Sequence, residues 1–321
     1  MNLDCVNNTA IKLVISHVEY VAENILKIIF NGFENQDLPL WEAGSHLEIR
    51  LSSGFIRHYS LCGHADDRKN YEIAVLLEPN SRGGSLEIHQ QWKEGEIVEI
   101  LSIRNNFPLK NSKAITLIAG GIGITPILAM AREADLQGID FKIYYGGRSL
   151  KTMAYLDELK KLPAMACHIL PEDENGLLNI KDIVSEAVGT DIYACGPSGL
   201  LRALKEETQK QHVNFYMEMF SADKQETSSK NENSEFVIEL KQSDLTLSVA
   251  KDKSILQTLI DADIDVLWSC GEGICGTCAI DVCEGVPDHR DNFLTDIEKK
   301  SNQQIMCCVS RCKGKKLVLD I

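Results

Sequence analysis

The spacing that most plainly encodes chemistry lies in SCGEGICGTC, near the C-terminal end. Cys270, Cys275 and Cys278 stand at C-x4-C-x2-C, and Cys308 follows with twenty-nine residues between. Three thiolates on one tight loop plus a distant fourth is the plant-type pattern for holding a 2Fe-2S cluster. Gly271, Gly273 and Gly276 suit a loop that must wrap closely round an inorganic core, because glycine tolerates positive φ and lets backbone amides approach the cluster sulfurs. The rival readings are weaker. Structural zinc usually shows two short Cys/His pairs, and a disulfide framework suits a small secreted domain. Cys307, Cys308 and Cys312 lie close together, and spacing alone does not choose the fourth ligand among them.

Four other stretches carry possible binding chemistry. In RHYSLCG, an extended chain puts Arg57 and Tyr59 on one face and Ser60 on the other. A guanidinium, a ring and a hydroxyl together could hold a phosphorylated aromatic cofactor, although such a triplet on a barrel edge is more often plain surface. In SRGGSLEIH, Gly83, Gly84 and Ser85 open an amphipathic helix whose N-terminus offers free amides to a phosphate. GGIGITP contains Gly120, Gly121, Gly123 and Thr125 and follows the apolar run AITLIA. It is not a full G-x-G-x-x-G, so it is as consistent with a tight turn as with a dinucleotide loop. CGPSG, with Cys195, Gly196 and Pro197, also ends an apolar run. His64, His89 and His168 read as ordinary surface or barrel residues rather than catalytic ones, because a lone histidine seldom functions without a partner.

The elements that must position these groups follow from periodicity. Residues 11–107 hold short runs, several alternating apolar and polar, separated by Asn31-Gly32, Ala43-Gly44, Ser53-Gly54 and Pro79-Asn80. They predict a closed or nearly closed antiparallel β-barrel. Residues 112–220 alternate apolar strands with helices, the pattern of a doubly wound parallel sheet. Here Thr125 suits a helix N-cap and Pro126 the first helical position, and RSLKTMAYLDELKKL reads as a helix through Met153, Leu156, Leu159 and Leu162. Both GGIGITP and CGPSG fall at strand ends, where such sheets bind ligands. SADKQETSSKNENSE reads as a linker. Beyond it, FVIEL and LTLSV form a hairpin, SILQTLIDAD a helix, and AIDVCEG and KLVLDI closing strands of a small β-rich domain stabilised by its cluster. The expected division is 1–110 barrel, 111–222 nucleotide-binding domain, 223–234 linker and 235–321 cluster domain.

The chain has 321 residues, 44% of them hydrophobic, and a net charge of −14. That balance argues against nucleic acid or an anionic membrane as partner and favours a basic patch on another protein. Eleven cysteines and no basic n-region before a continuous apolar core point to a reducing, cytoplasmic compartment. The uncharged run Ala114 to Ala131 is long enough to raise the question of a membrane helix, but its glycines and Pro126 fit a strand, loop and helix instead.

Taken in order, Arg57-x-Tyr59-Ser60, RGGS, AGGIGITP, CGP, MEMF, the cysteine loop and PDHRD resemble the phthalate dioxygenase reductase family, over essentially the whole chain. The resemblance implies a ferredoxin-reductase-type barrel, a nicotinamide-binding domain and a C-terminal plant-type, β-grasp-like ferredoxin domain, with FMN as the flavin. Arg57 would pair with the FMN phosphate, Tyr59 would pack on the isoalloxazine, and Ser60 would sit near its reactive edge. Gly83, Gly84 and Ser85 would help hold the phosphate. Gly120, Gly121, Gly123 and Thr125 match the dinucleotide loop, Cys195, Gly196 and Pro197 the motif beside the nicotinamide, and Phe220 the aromatic that covers the flavin. The ending IMCCVSR selects Cys308 as the fourth ligand.

Electron counting then gives the order of transfer. A nicotinamide releases a hydride, an iron–sulfur cluster takes one electron, and a flavin can do both. The expected protein is the reductase component of a two-component Rieske-type oxygenase, fed by NADH. Arg148 and Ser149, after the second strand of the parallel sheet, keep NADPH open. A stand-alone flavin or quinone reductase and a redox-sensing iron–sulfur protein are the alternatives, and the first has no need of a one-electron relay.

Overall fold

A computed structural model describes residues 10–78, 83–220 and 233–321. The Pro79-Asn80 turn, Arg82 of RGGS and residues 223–232 of the expected linker lie outside the described residues. The chain falls into two compact units, Met1–Phe220 and Ser221–Ile321.

The first unit opens with β1 (Ile11–Ala22), β2 (Ile25–Gly32), β3 (Ser45–Arg50), β4 (Ile56–Ser60), β5 (Asn70–Leu76), α1 (Gly84–Gln91) and β6 (Ile97–Asn105). The strands form an antiparallel sheet in the order β4-β3-β6-β1-β2-β5. Alternation fills its inside: Leu13, Ile15, Ile28, Phe30, Leu47 and Ile49 are fully buried. The segment after β4 reaches β5 through one backbone bond, from the Cys62 amide to the Glu72 carbonyl at 3.0 Å, and this brings the two edges together as a barrel.

Next come β7 (Ala114–Gly120), α2 (Ile124–Gln137), β8 (Asp140–Gly147), α3 (Leu156–Leu159), β9 (Cys167–Pro171), α4 (Glu172–Asn175), α5 (Ile180–Glu186), β10 (Asp191–Cys195), α6 (Ser198–Gln211) and β11 (Phe215–Glu218). The sheet is wholly parallel, in the order β11-β10-β7-β8-β9. Both faces are covered, as parallel sheets require. Leu117, Ala119, Tyr193 and Cys195 pack on the side of α2, whereas Ile118, Ile192 and Ala194 pack on the side of α5 and α6. The chain runs outward from β7 through β8 to β9, and then from β10 to β11 on the other side. The topological switch therefore lies between β7 and β10, where ligands bind on such sheets.

Two local expectations are corrected. The helix expected over RSLKTMAYLDELKKL is only the four-residue α3, preceded by a 3-10 turn at Leu150–Thr152. Tyr155 stands between them in the left-handed region, φ 62° and ψ 20°. Burial of Met153, Ala154 and Tyr155 and a 3.1 Å contact between the Tyr155 hydroxyl and the Cys62 thiol outweigh the helical periodicity. Thr125 is not the N-cap of α2 either. Gly121–Gly123 already winds as a 3-10 turn, so Gly123 takes the cap position and Pro126 lies in the first turn.

The second unit contains β12 (Phe236–Leu240), β13 (Leu245–Val249), α7 (Ile255–Asp261), β14 (Ala279–Glu284), β15 (Pro287–Asp288), α8 (Asp296–Ser301), β16 (Gln304–Met306), β17 (Arg311–Cys312) and β18 (Lys316–Leu319). Its main sheet runs β13-β12-β18-β14-β16, with β12 and β18 parallel and the other pairs antiparallel. Ser254 caps α7 by accepting from the Gln257 amide at 3.0 Å, and Ile255, Leu256 and Leu259 turn inward onto Phe236, Ile238 and Leu240. The chain has no described helix long and apolar enough to cross a membrane.

Candidate functional site

In the first unit the barrel sets one wall. Because β4 pairs with β3, Tyr59 lies opposite Leu47 and Arg57 opposite Ile49, while Ser60 and His58 lie opposite His46 and Glu48 on the other face. Helix α1 begins beside Arg57. Gly83 holds φ 104°, a conformation that side chains rarely adopt, and so turns the chain into the helix. A Cβ at Gly84 would come within 2.6 Å of the Arg57 Nε. The first amides of α1 and the guanidinium thus share a cradle that only glycine leaves open, which fits a phosphate. The helix is pinned there by Glu87, whose Oε1 accepts from the Ser52 amide at 2.8 Å and its hydroxyl at 2.6 Å. Burial pushes the Glu87 carboxyl up, but the bonds from Ser52 and Ser53 outweigh it and hold it below the usual range. Ser85 uses its hydroxyl to accept from the Glu78 amide at 3.2 Å. Burial raises the Tyr59 phenol well above its ordinary value, so the ring stays neutral.

The second wall is the switch point. The glycine loop after β7 and the CGP turn after β10 touch so closely that side chains are excluded. A Cβ at Gly120 would meet Pro197 Cδ at 2.6 Å and Leu200 Cδ2 at 2.9 Å, one at Gly196 would lie 3.0 Å from Gly120 Cα, and one at Gly123 would run into the Cys195 carbonyl. Gly121 supplies the positive φ, 53°, that turns the loop. Thr125 is buried and donates to the Ile122 carbonyl at 3.1 Å, which ties the loop to α2. Arg148 is exposed at the carboxyl end of β8, and its carbonyl accepts from the Asp173 amide at 3.2 Å. That bond brings the acids Glu172, Asp173 and Glu174 beside it.

Between the two walls stands a residue that sequence reasoning missed. Ser60 donates to Glu218 Oε2 at 3.3 Å, and Glu218 pairs in register with Cys195. Burial pushes the Glu218 carboxyl up to about 8 and the Cys195 thiol well above its ordinary value. At neutral pH the site therefore holds a neutral acid, a hydroxyl and a neutral thiol together. The sequence signal for Glu218 is MEMF, an acid among apolar residues at the end of a strand. Phe220 lies two residues beyond β11 and is 43% exposed. Behind Ser60, the buried Glu48 accepts from Ser102 at 2.7 Å and meets Arg104 at 3.3 Å. The His46 ring lies against that of His58, tilted, with centroids 4.8 Å apart, and burial pushes its imidazole down to about 3. This polar layer locks β3, β4 and β6 together.

In the second unit the cysteine loop is shaped by three glycines at φ between 66° and 76°: Gly271, Gly273 and Gly276. A Cβ on Gly276 would enter the Phe293 ring, and one on Gly273 would strike Val309 and Asp291. The Glu272 amide donates to Cys270 Sγ at 3.3 Å. The sulfurs meet in neighbouring pairs. Cys270 contacts Cys275, and Cys278 Sγ lies 3.1 Å from Cys308 Sγ, with Cys270 also reaching Cys308. Among the described residues no group of three or more His, Cys, Asp and Glu side chains is arranged to hold a single metal ion. Four soft thiolate donors in two pairs fit a dinuclear iron–sulfur core better than a mononuclear one.

Residues 117–206 match the family described as oxidoreductase NAD-binding domain, and residues 238–313 that described as 2Fe-2S iron-sulfur cluster binding domain. The chain is 38% identical over 320 residues to vanillate O-demethylase oxidoreductase of Pseudomonas sp. strain HR199, covering 97% of this chain and 100% of that one. Among solved structures it is similar to phthalate dioxygenase reductase, with 34% identity, a TM-score of 0.73 and coverage of 97% and 98%. It is also similar to an intact type IV self-sufficient cytochrome P450 monooxygenase, at 38% identity and a TM-score of 0.86 over 97% of this chain. There it spans only 41% of the longer chain.

Proposed function

The chain belongs to the phthalate dioxygenase reductase family, and from that premise we propose that it is the cytoplasmic reductase of a Rieske-type oxygenase. It is an NADH-dependent oxidoreductase that uses FMN and a 2Fe-2S cluster to feed electrons to an oxygenase system. FMN, when bound, takes two electrons as a hydride and gives them up singly. The protein's part is to bind, orient and tune.

Arg57 and the first amides of α1 hold the flavin phosphate in this reading, with Gly83, Gly84 and Ser85 shaping the turn. Tyr59 packs on the ring system, Ser60 lies at its reactive edge and Phe220 covers it. Gly120, Gly121, Gly123 and Thr125, with Cys195, Gly196 and Pro197, shape the nicotinamide cleft at the switch point. The acids of α4 beside Arg148 disfavour a 2′-phosphate, in keeping with NADH. Glu218, held neutral, accepts from the Ser60 hydroxyl and so fixes where that hydroxyl lies. Cys270, Cys275, Cys278 and Cys308 hold the cluster.

The observation that carries the reading is the pairing of a flavin-and-nicotinamide cleft with a four-thiol loop on one chain. A direct reductase needs the first and not the second. The test is spectroscopic. NADH added anaerobically to the loaded protein with a purified Rieske oxygenase should bleach the Rieske absorbance, and Cys275→Ala should abolish that bleaching while ferricyanide reduction by the flavin continues. If Cys275→Ala leaves transfer to the oxygenase intact, the relay reading fails. If the protein's own flavin and cluster bleach but no Rieske protein accepts, the partner is of another kind.

A further inference from the structure

We propose that Cys307 is a reserve ligand to the cluster, able to take the place of Cys308 beside Cys278 when Cys308 is unavailable. The inference rests on the reading of Cys270, Cys275, Cys278 and Cys308 as cluster ligands. A cysteine doublet in a strand could not serve one site, because neighbouring side chains point to opposite faces. This doublet is not in a strand. β16 ends at Met306, and the amides of Val309 and Ser310 both donate to the Met306 carbonyl, at 3.3 and 3.0 Å. The turn sets both residues beside Cys278. Cys308 Sγ is 3.1 Å from Cys278 Sγ, and the Cys307 thiol interacts with the same thiol.

The position is fixed as well as close. The Cys307 amide donates to the Cys278 carbonyl at 3.2 Å, and its carbonyl accepts from the Leu256 amide at 2.9 Å. Cys307 is fully buried within the second unit's core, beside Cys278 and Cys308. The exchange balances without any change in oxidation state. A hydroxide would occupy the position that Cys308 leaves; as the Cys307 S–H bond breaks and a sulfur–iron bond forms, the iron–oxygen bond breaks and the proton and hydroxide leave together as water.

The test reads cluster content and the electron-spin-resonance spectrum of the dithionite-reduced full chain. Cys307→Ala should leave the native spectrum unchanged. Cys308→Ala should keep iron near the native level with shifted g values, and the double variant should lose the cluster. Should Cys308→Ala fold poorly, Cys308→Ser supplies an oxygen ligand in its place. Its spectrum should then change when Cys307→Ala is added, and identical spectra with and without Cys307 would overturn the proposal. An iron-free Cys308→Ala beside a native Cys307→Ala would overturn it too, leaving Cys307 as packing. Loss of the cluster in Cys307→Ala with an unshifted Cys308→Ala would make Cys307 the native ligand, and retention of the native spectrum in Cys275→Ala would sink the underlying ligand reading instead.

Discussion

The hydroxyl of Ser60 meets the carboxyl of Glu218 at 3.3 Å, joining the last residue of a barrel strand to the last residue of the parallel sheet's edge strand. The flavin wall and the nicotinamide wall are thereby linked by a group that burial keeps protonated up to a pH of about 8.

That shift has a sign in stability. Glu218 binds its proton more tightly folded than unfolded, where its value is the ordinary 4.5. The folded state therefore holds more protons across that window, and stability falls as pH rises from about 4.5 to about 8. Below the window the group costs nothing, and above it the loss is complete, on the order of a few kcal/mol. Glu218→Gln should flatten this slope. Thermal unfolding between pH 5 and 8 should show the variant's melting temperature gaining steadily on the native one as pH rises. Parallel curves would mean that Glu218 is not held neutral.

Gly84→Ala tests the phosphate cradle. The backbone at Gly84 has no positive φ to forbid a side chain, and the nearest atoms its Cβ would meet are Nε, Cγ and Cδ of Arg57. Arg57 must swing away from the helix N-terminus. Loss of a hydrogen bond to a charged group costs about 1.5–3 kcal/mol, so FMN affinity should drop roughly tenfold to a hundredfold. Fluorescence titration of the flavin-free protein measures it, with unchanged circular dichroism as the control.

Gly120→Ala tests the switch point. Its Cβ would press on Pro197 and Leu200, and the two loops would have to part. Overpacking of this kind costs about 1–3 kcal/mol. The KM for NADH should rise at least several-fold, while dithionite still reduces both flavin and cluster. An unchanged KM would place the nicotinamide elsewhere.

How much of this was legible in the sequence differs from element to element. The cysteine loop was, because ligand spacing is local and glycine at Gly271, Gly273 and Gly276 answers a local need. So was the alternation of strand and helix after residue 112. The Ser60–Glu218 contact was not, since it depends on two residues 158 apart in the chain, on different sheets, being brought together by tertiary packing. Tyr155 misled for a related reason. Its local periodicity is helical, and only the buried contact with Cys62 on the barrel forces it into the left-handed region. Local signals reveal which chemistry is present, and tertiary contacts decide which further residues join it.

Arg311 should prove to be the residue on which the cluster unit's own stability most depends. It follows the IMCCVS segment, is buried, and lies over the Phe236 ring at 5.1 Å. Its guanidinium donates to the carbonyls of Lys253, Ser234 and Ala250, the last two at 3.1 and 3.0 Å. These carbonyls belong to the chain entering β12 and to the turn between β13 and α7, so one side chain ties the sheet to the helix that packs on it. Arg311→Met would preserve much of the volume but leave those acceptors unsatisfied, each at about 1–3 kcal/mol. Arg311→Lys could restore only part of the fork. Unfolding followed at the cluster absorbance should shift down by many degrees in Arg311→Met and by less in Arg311→Lys. Unfolding followed by flavin fluorescence should stay at the native temperature, because the groups Arg311 satisfies all lie in the second unit. A shared fall in both signals would show instead that the two units unfold as one.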